Sequence, residues 1–371
     1  KMLNTRGKKW EFFLLMMKLG SMWASGRSTS RRWNGYNKYG LLLIDHIAII
    51  GLGSIGKRHL LLLREFRPEI KISAVRSGIG KAIPEEDITD EVLYSIDYAI
   101  ESGVQAAIIA TPASLHLEQS IKLIQAGIHI LIEKPLSYNM DGIDQLISVS
   151  EKNVVVGLIG YVLRHDPAAI KFKEMLNREN TGQILHVNVD CGSYLPDWRP
   201  HQDYRQSVSA RKELGGGVLL ELSHELDYIR WFFGSFENIT AVLNNSGSLG
   251  LEVEDSADLI INTLDGFPIS VHLDFNSRVT RRSCVVHCLK GDLTWNVLQK
   301  TVSWQPADGS EKSETFNHDS DKIYLTQLQH FFDCMENNKA PAVSLEDGSD
   351  VLRIVEAARE SSAKGKTVAL A

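Results

Sequence analysis

The stretch "GGGVLLELSHELDYIRWFFG", residues 215–234, places Glu221, His224, Glu225 and Asp227 within two turns of a predicted helix. Spacings of three and four make helical side chains neighbours, so Glu221, His224, Glu225 and Tyr228 are predicted to share one face. Leu219, Leu222, Leu226, Ile229 and Phe233 form a separate apolar stripe, expected against a core. Three chemistries compete for the polar face. A zinc site fails on spacing, because Tyr228 stands where an H-E-x-x-H motif needs its second histidine; no metal is expected. Proton transfer suits His224, whose ordinary pKa lies near neutrality, with Glu221 or Asp227 as its partner. A solvated helix face with His224 at an incidental position is the third reading.

A second constellation is "GLGSIG", which sets Gly51, Gly53 and Gly56 after an apolar run and before a helical one. The first glycine permits a tight turn. The second lets backbone approach a pyrophosphate. The third lets helix and strand pack closely. The helix start at Ser54 and Ile55 offers free N–H groups and a positive dipole end to phosphates. The next strand ends in Arg76 and Ser77, where an acid would ordinarily hold the adenosine ribose. An arginine there can pair with a 2′-phosphate, so NADP is favoured over NAD.

These residues need elements to hold them. "LLLIDHIAII", "IKISAV", "VQAAIIATP", "IHILIEKP" and "VVVGLIGY" read as buried strands. Helical patterns alternate with them, and "TDEVLYSIDYAIES" is read as one such helix. Such alternation predicts a doubly wound, mainly parallel sheet over residues 41–157, an α/β Rossmann domain. Residues 158–371 change character: strands follow one another without intervening helices, and two helices close the chain. This predicts an α+β domain with an open antiparallel sheet, for substrate binding and oligomerisation.

Bulk composition narrows the classes. The net charge of −6 argues against a nucleic-acid binder. No apolar run is long enough to span a membrane. The four cysteines form no C-x-x-C pair and suit a reducing, cytoplasmic setting. Residues 1–40 are basic, with Glu11 as their only acid and the apolar run "FFLLMM". They lack the clear cleavage site of a secretory signal and the globular pattern; an organelle transit peptide is one reading, and an extension outside the fold is the favoured one.

The motifs "GLGSIGKRH", "ATPASLH", "EKPLS", "GGGVLLELSHELD", "LEVEDSADL" and "SLEDGSDVLRIVEAARESSAKGKTV" occur in that order. Together they resemble the Gfo/Idh/MocA oxidoreductases over about residues 44–371. The loop "SYLPDWRPHQDYRQSVSARKELGGG" resembles a subgroup met in bacterial surface-sugar biosynthesis. The resemblance implies hydride transfer between NAD(P) and a sugar, sugar acid or nucleotide-sugar. It places Lys134 of E-K-P beside the nicotinamide and the reacting hydroxyl, with Glu133 before it. A cation there can stabilise an alkoxide and handle its proton. It implies that Thr111, Pro112 and His116 form a cofactor-side turn and that Tyr161, Arg164 and His165 lie at the substrate. The family carries an Asp and a His four positions later, whereas Glu221 and His224 are three apart, which leaves open whether Glu221 or Asp227 fills the acid's role. Trp198, Arg199, Tyr204 and Arg205 suit the faces and carboxylate or phosphate groups of an anionic sugar. The same loop also reads as a basic, solvated interface. The exposed sheet face and the family's habits suggest a homodimer or homotetramer. Two further readings are a family member with tightly held cofactor performing an internal redox step, and a non-catalytic dinucleotide sensor or scaffold.

Overall fold

The structure, a computed structural model, describes residues 43–79, 81–176 and 181–370. The expected extension over residues 1–40 lies outside the described residues.

The run His46–Ile50 (β1) is buried at every position, as a strand covered on both faces must be. Helix α1 (Ser54–Phe66) follows, then β2 (Lys71–Val75), β3 (Glu91–Leu93), α2 (Ile96–Glu101) and β4 (Ala106–Ile109). Next come α3 (Ala113–Gln125), β5 (His129–Ile132), α4 (Ile143–Asn153) and β6 (Gly157–Ile159). The six strands form one parallel sheet in the order β3-β2-β1-β4-β5-β6. The order reverses between β1 and β4, and open α/β sheets bind ligands at the carboxyl ends beside such a point. The stretch read as one helix around residues 89–102 instead splits into β3 and α2. Ser95 accepts the Tyr98 amide and caps α2, so helix starts only after it.

Past β6, a 3₁₀ turn (Val162–His165) and α5 (Pro167–Met175) lead to β7 (Ile184–Gly192). A loop of short 3₁₀ turns then reaches α6 (Val218–Glu221) and α7 (His224–Phe233). Strands β8 (Phe236–Asn244), β9 (Ser256–Thr263), β10 (Pro268–Asp274) and β11 (Arg281–Cys288) follow. Strands β12 (Gly291–Asn296), β13 (Thr301–Pro306) and β14 (Lys312–Thr315) precede α8 (Ser320–Asn337), α9 (Leu345–Lys364) and β15 (Val368–Ala369). The second sheet has nine strands in the order β14-β13-β12-β11-β7-β10-β9-β8-β15. Its pairings are antiparallel except β7 with β10, which run parallel. Strict alternation along β9 leaves one face buried and the other, with Asp258, Ile260 and Asn262, exposed.

The halves share their cores. Helix α8 returns to the first sheet, setting Leu328, Phe331 and Phe332 against Ile47, Leu60 and Leu63. Helix α9 starts with a capping box, Ser344 with Asp347, and lies against β8 and β6. No helix among the described residues is long and apolar enough to cross a membrane.

Candidate active site

A cleft of about 1220 Å³ opens at the carboxyl ends of β1, β2, β4 and β5. Its walls include Gly51–Ile55, Val75–Ser77, Ala110–Pro112 and Glu133–Pro135 from the first sheet. Arg199, Leu220 and Glu221 close it from the second half.

The glycine turn fits a dinucleotide for reasons visible in its geometry. Gly51 has φ +91°, and a Cβ there would lie 2.9 Å from the Ala110 carbonyl oxygen. A Cβ on Gly56 would lie 1.9 Å from the Gly51 carbonyl oxygen, so only glycine lets α1 seat on the turn. At Gly53, by contrast, a Cβ would meet nothing within 4 Å; this glycine leaves open space at the helix start. No side chain caps α1 at Gly53 and no acid lies in its first turn. Its leading amides and dipole are therefore left for an anion, the arrangement a pyrophosphate takes.

Lys134 sits just beyond β5, reached by a backbone that Glu133 anchors. The buried Glu133 carboxylate shares a 2.6 Å hydrogen bond with His59 Nε2 of α1 and accepts the Lys134 amide at 3.3 Å. Lys134 Nζ donates to the Glu221 carbonyl oxygen at 2.8 Å and to its Oε1 at 3.3 Å. Burial pushes the Glu221 carboxyl upward, but Lys134, the Ser209 hydroxyl and Arg199 outweigh it and hold the pKa below the ordinary range. Glu221 is thus an anion at neutral pH. Of the two carboxylates, Glu221 and not Asp227 stands beside Lys134.

The helix carrying the opening polar cluster is broken between Glu221 and His224. The residues expected to share a face therefore separate. Glu225 is fully buried and accepts from Arg282 at 2.6 Å. Tyr228 is buried among Phe232 and Trp295. His224 is half-buried, edge-on to Tyr161 with ring centroids 5.6 Å apart. Burial, then the cations Lys134 and Arg282, drive its pKa well below the ordinary value, so it is neutral. Its Nδ1 is buried with no hydrogen-bond partner among the described residues.

Other expected residues divide sharply. Asp227 faces the core, where Arg164 donates to it at 2.7 and 3.1 Å and also meets Asp347 at 3.3 Å. Tyr161 is fully buried and donates to Ser223 at 3.2 Å, and His165 is buried against His330. These four brace the floor rather than line the cleft. Burial also encloses His116, whose Nδ1 and Nε2 lie 2.8 Å from the Pro135 and Thr111 carbonyls, so that its single N–H donates to one of the two according to tautomer. Thr111 and Pro112 line the cleft itself. From the long loop, only Arg199 of the expected set reaches the main cleft, donating to Ser54 Oγ at 3.2 Å across it. Trp198 and Tyr204 line a small side cavity, with Trp198 donating to Ser193 and Tyr204 to the Leu249 carbonyl. Arg205 lies over the Tyr204 ring, outside both cavities. Arg76 and Ser77 line the cleft, but the Arg76 guanidinium is already held by Glu86. Sequence patterns missed Glu86, Arg58 and Tyr324; Arg58 and Tyr324 line the cleft, with the Arg58 guanidinium 4.8 Å above the Tyr324 ring. Tyr324 comes from α8, and no local motif marks a residue delivered from so far along the chain.

Both halves have counterparts among known proteins. Residues 46–161 match the family model described as "Oxidoreductase family, NAD-binding Rossmann fold". Residues 173–370 match "Oxidoreductase family, C-terminal alpha/beta domain". The chain is 28% identical over 281 residues to 1,5-anhydro-D-fructose reductase of Ensifer adhaerens, covering 74% of this chain and 80% of the relative. It is 26% identical to myo-inositol 2-dehydrogenase of Thermotoga maritima, covering 87% of this chain and 98% of the relative. Among solved structures, levoglucosan dehydrogenase in complex with NADH and levoglucosan superposes with a TM-score of 0.79 at 20% identity, over 88% of this chain and 99% of that one. With both family models matched in order along the two halves that build the cleft, the chain belongs to the Gfo/Idh/MocA oxidoreductase family.

Proposed function

We propose that this protein transfers hydride between a nicotinamide dinucleotide and a CH–OH carbon of a sugar, sugar acid or nucleotide-sugar. One observation carries the reading: Lys134 and Glu221, from different halves of the chain, meet at the wall of a cleft that also contains the glycine turn. The relatives named for an anhydrofructose and for myo-inositol support a polyhydroxylated substrate.

The Gly51–Gly56 turn and the start of α1 hold the pyrophosphate, and Thr111 and Pro112 flank the cofactor. When bound, the cofactor supplies a hydride acceptor or donor. Everything else falls to the protein's own groups. The Lys134 ammonium donates to the substrate oxygen and stabilises it as alkoxide character develops. Glu221 accepts from Lys134 and from substrate hydroxyls. As hydride leaves the CH–OH carbon, the neutral His224 imidazole is the acceptor for the proton that the substrate hydroxyl gives up. Arg199 brings positive charge to the cleft, which suits an anionic sugar.

Steady-state assays following nicotinamide absorbance with cyclitols, hexoses, uronic acids and nucleotide sugars test the reading. Turnover with at least one class is expected. Binding of dinucleotide with no turnover across all classes would favour a sensor or scaffold instead.

A further inference from the structure

We propose that Glu86 makes the cleft select NAD over NADP, by neutralising the arginine that stands at the adenosine ribose; this rests on the reading of the cleft as a dinucleotide site. Arg76 follows β2, the place where Rossmann domains discriminate the two cofactors. Taken alone, it invites a 2′-phosphate. In the structure its guanidinium is engaged on two sides. Nη1 donates to Glu86 Oε1, and Nη2 donates to the Lys81 carbonyl at 2.9 Å. The Arg76 and Glu86 side chains are only 15% and 13% exposed.

Glu86 is not free to leave. Its Oε1 also accepts the Ile83 amide at 3.0 Å, closing the start of the 3₁₀ turn Pro84–Ile88. That turn is pinned to α1 twice. Lys57 pairs with Glu85 at 3.0 Å, and Arg64 donates to the Ile88 carbonyl at 3.0 and 3.2 Å. The carboxylate therefore belongs to a braced element, and it holds Arg76 in a pair of zero net charge. Two of the five guanidinium N–H groups are used, leaving others, with the Ser77 hydroxyl nearby, to serve ribose hydroxyls. A 2′-phosphate is a different guest. It brings a charge of about −1.5 to −2 beside a fixed carboxylate, and the cation that would offset it is already spent. Glu86 is a positioning residue here: it acts through Arg76 and does not line the cleft.

The test is calorimetric titration of NAD⁺ and NADP⁺ into the full-length protein and its variants, so that the readout is affinity rather than turnover. Wild type is expected to bind NAD⁺ at least about tenfold more tightly than NADP⁺. Glu86→Gln keeps an acceptor for the Ile83 amide and frees the guanidinium charge. It is expected to raise NADP⁺ affinity by roughly tenfold, the scale of a charge-assisted hydrogen bond, with NAD⁺ changed by less than about threefold. Arg76→Ala alone is expected to weaken NADP⁺ at least about threefold and more than NAD⁺, because it leaves the Glu86 carboxylate uncompensated beside the 2′-phosphate. Combining both changes should abolish the gain. Wild type binding NADP⁺ as tightly as NAD⁺ overturns the proposal while leaving the dinucleotide site standing, as does a folded Glu86→Gln protein with an unchanged ratio. Failure of wild type to bind either nucleotide overturns the site itself.

Discussion

At the scale of residues, the account turns on a charge pair. Lys134 and Glu221 hold each other 3.3 Å apart, half-buried, where Coulomb attraction is stronger than in bulk water. In the proposed mechanism, removing the cation removes the group that stabilises the substrate oxyanion. Glu221→Gln is milder, because it keeps an acceptor for Lys134 but deletes the charge. Its kcat is expected to fall by about tenfold, against about 10²- to 10⁴-fold for a catalytic acid–base group; the two kcat values measured side by side check this. His224→Ala is expected to show its loss in kcat with little change in KM, since the imidazole is proposed to take a proton and not to hold the substrate. The residue types were legible in the sequence, and so was the failure of the zinc motif. Which acid stands beside Lys134 was not. That depends on the break between Glu221 and His224, which turns Asp227 inward to Arg164 and leaves Glu221 facing Lys134.

At the scale of elements, the glycine turn and β5 set the tolerances. Gly56→Ala would place a methyl group 1.9 Å from the Gly51 carbonyl oxygen. It must push α1 off the turn, so dinucleotide affinity is expected to fall at least tenfold, with about 1–3 kcal/mol of stability lost; titration and a denaturant melt separate the two effects. His129 opens β5, and its Nδ1 accepts the Val156 amide at 2.9 Å, which requires a neutral ring. Burial lowers its pKa to about 4, and burial followed by the neighbouring His330 and Arg164 does the same for His165. The unfolded chain therefore takes up these protons first. Stability is intact above about pH 6.5 and falls as pH drops from there towards 4, by up to about 3 kcal/mol for each ring. Melting temperatures recorded from pH 7 to pH 4 should show this decline, and His129→Gln should flatten it. A decline beginning only below pH 4 would point to carboxylates instead. Strand and helix alternation made the first sheet readable, because each buried strand is a continuous apolar run. The short β3 was not readable, since its three half-buried residues show no period of their own.

At the scale of the whole molecule, one face of the nine-stranded sheet is covered and the other is not. Val242 and Ile260 lie 61% and 46% exposed on it. The chain is expected to associate through this face into a dimer or tetramer, and Ile260→Lys is expected to shift light-scattering mass towards monomer without lowering the melting temperature. The two halves are also joined internally by α8 packed on the first sheet, and within the second half Arg164 and Asp227 form a buried pair. Breaking such a buried pair with Asp227→Ala is expected to cost about 3–5 kcal/mol, measured by denaturant unfolding. This joining is what makes the cleft composite: the dinucleotide turn belongs to one half, while Lys134 finds its partner in the other. The most direct test of that arrangement measures Lys134→Ala twice, by NAD⁺ titration and by turnover with the best substrate found for wild type. NAD⁺ affinity is expected to stay within about threefold, while kcat falls by at least about a hundredfold. Retention of wild-type turnover by a folded Lys134→Ala protein would contradict the account.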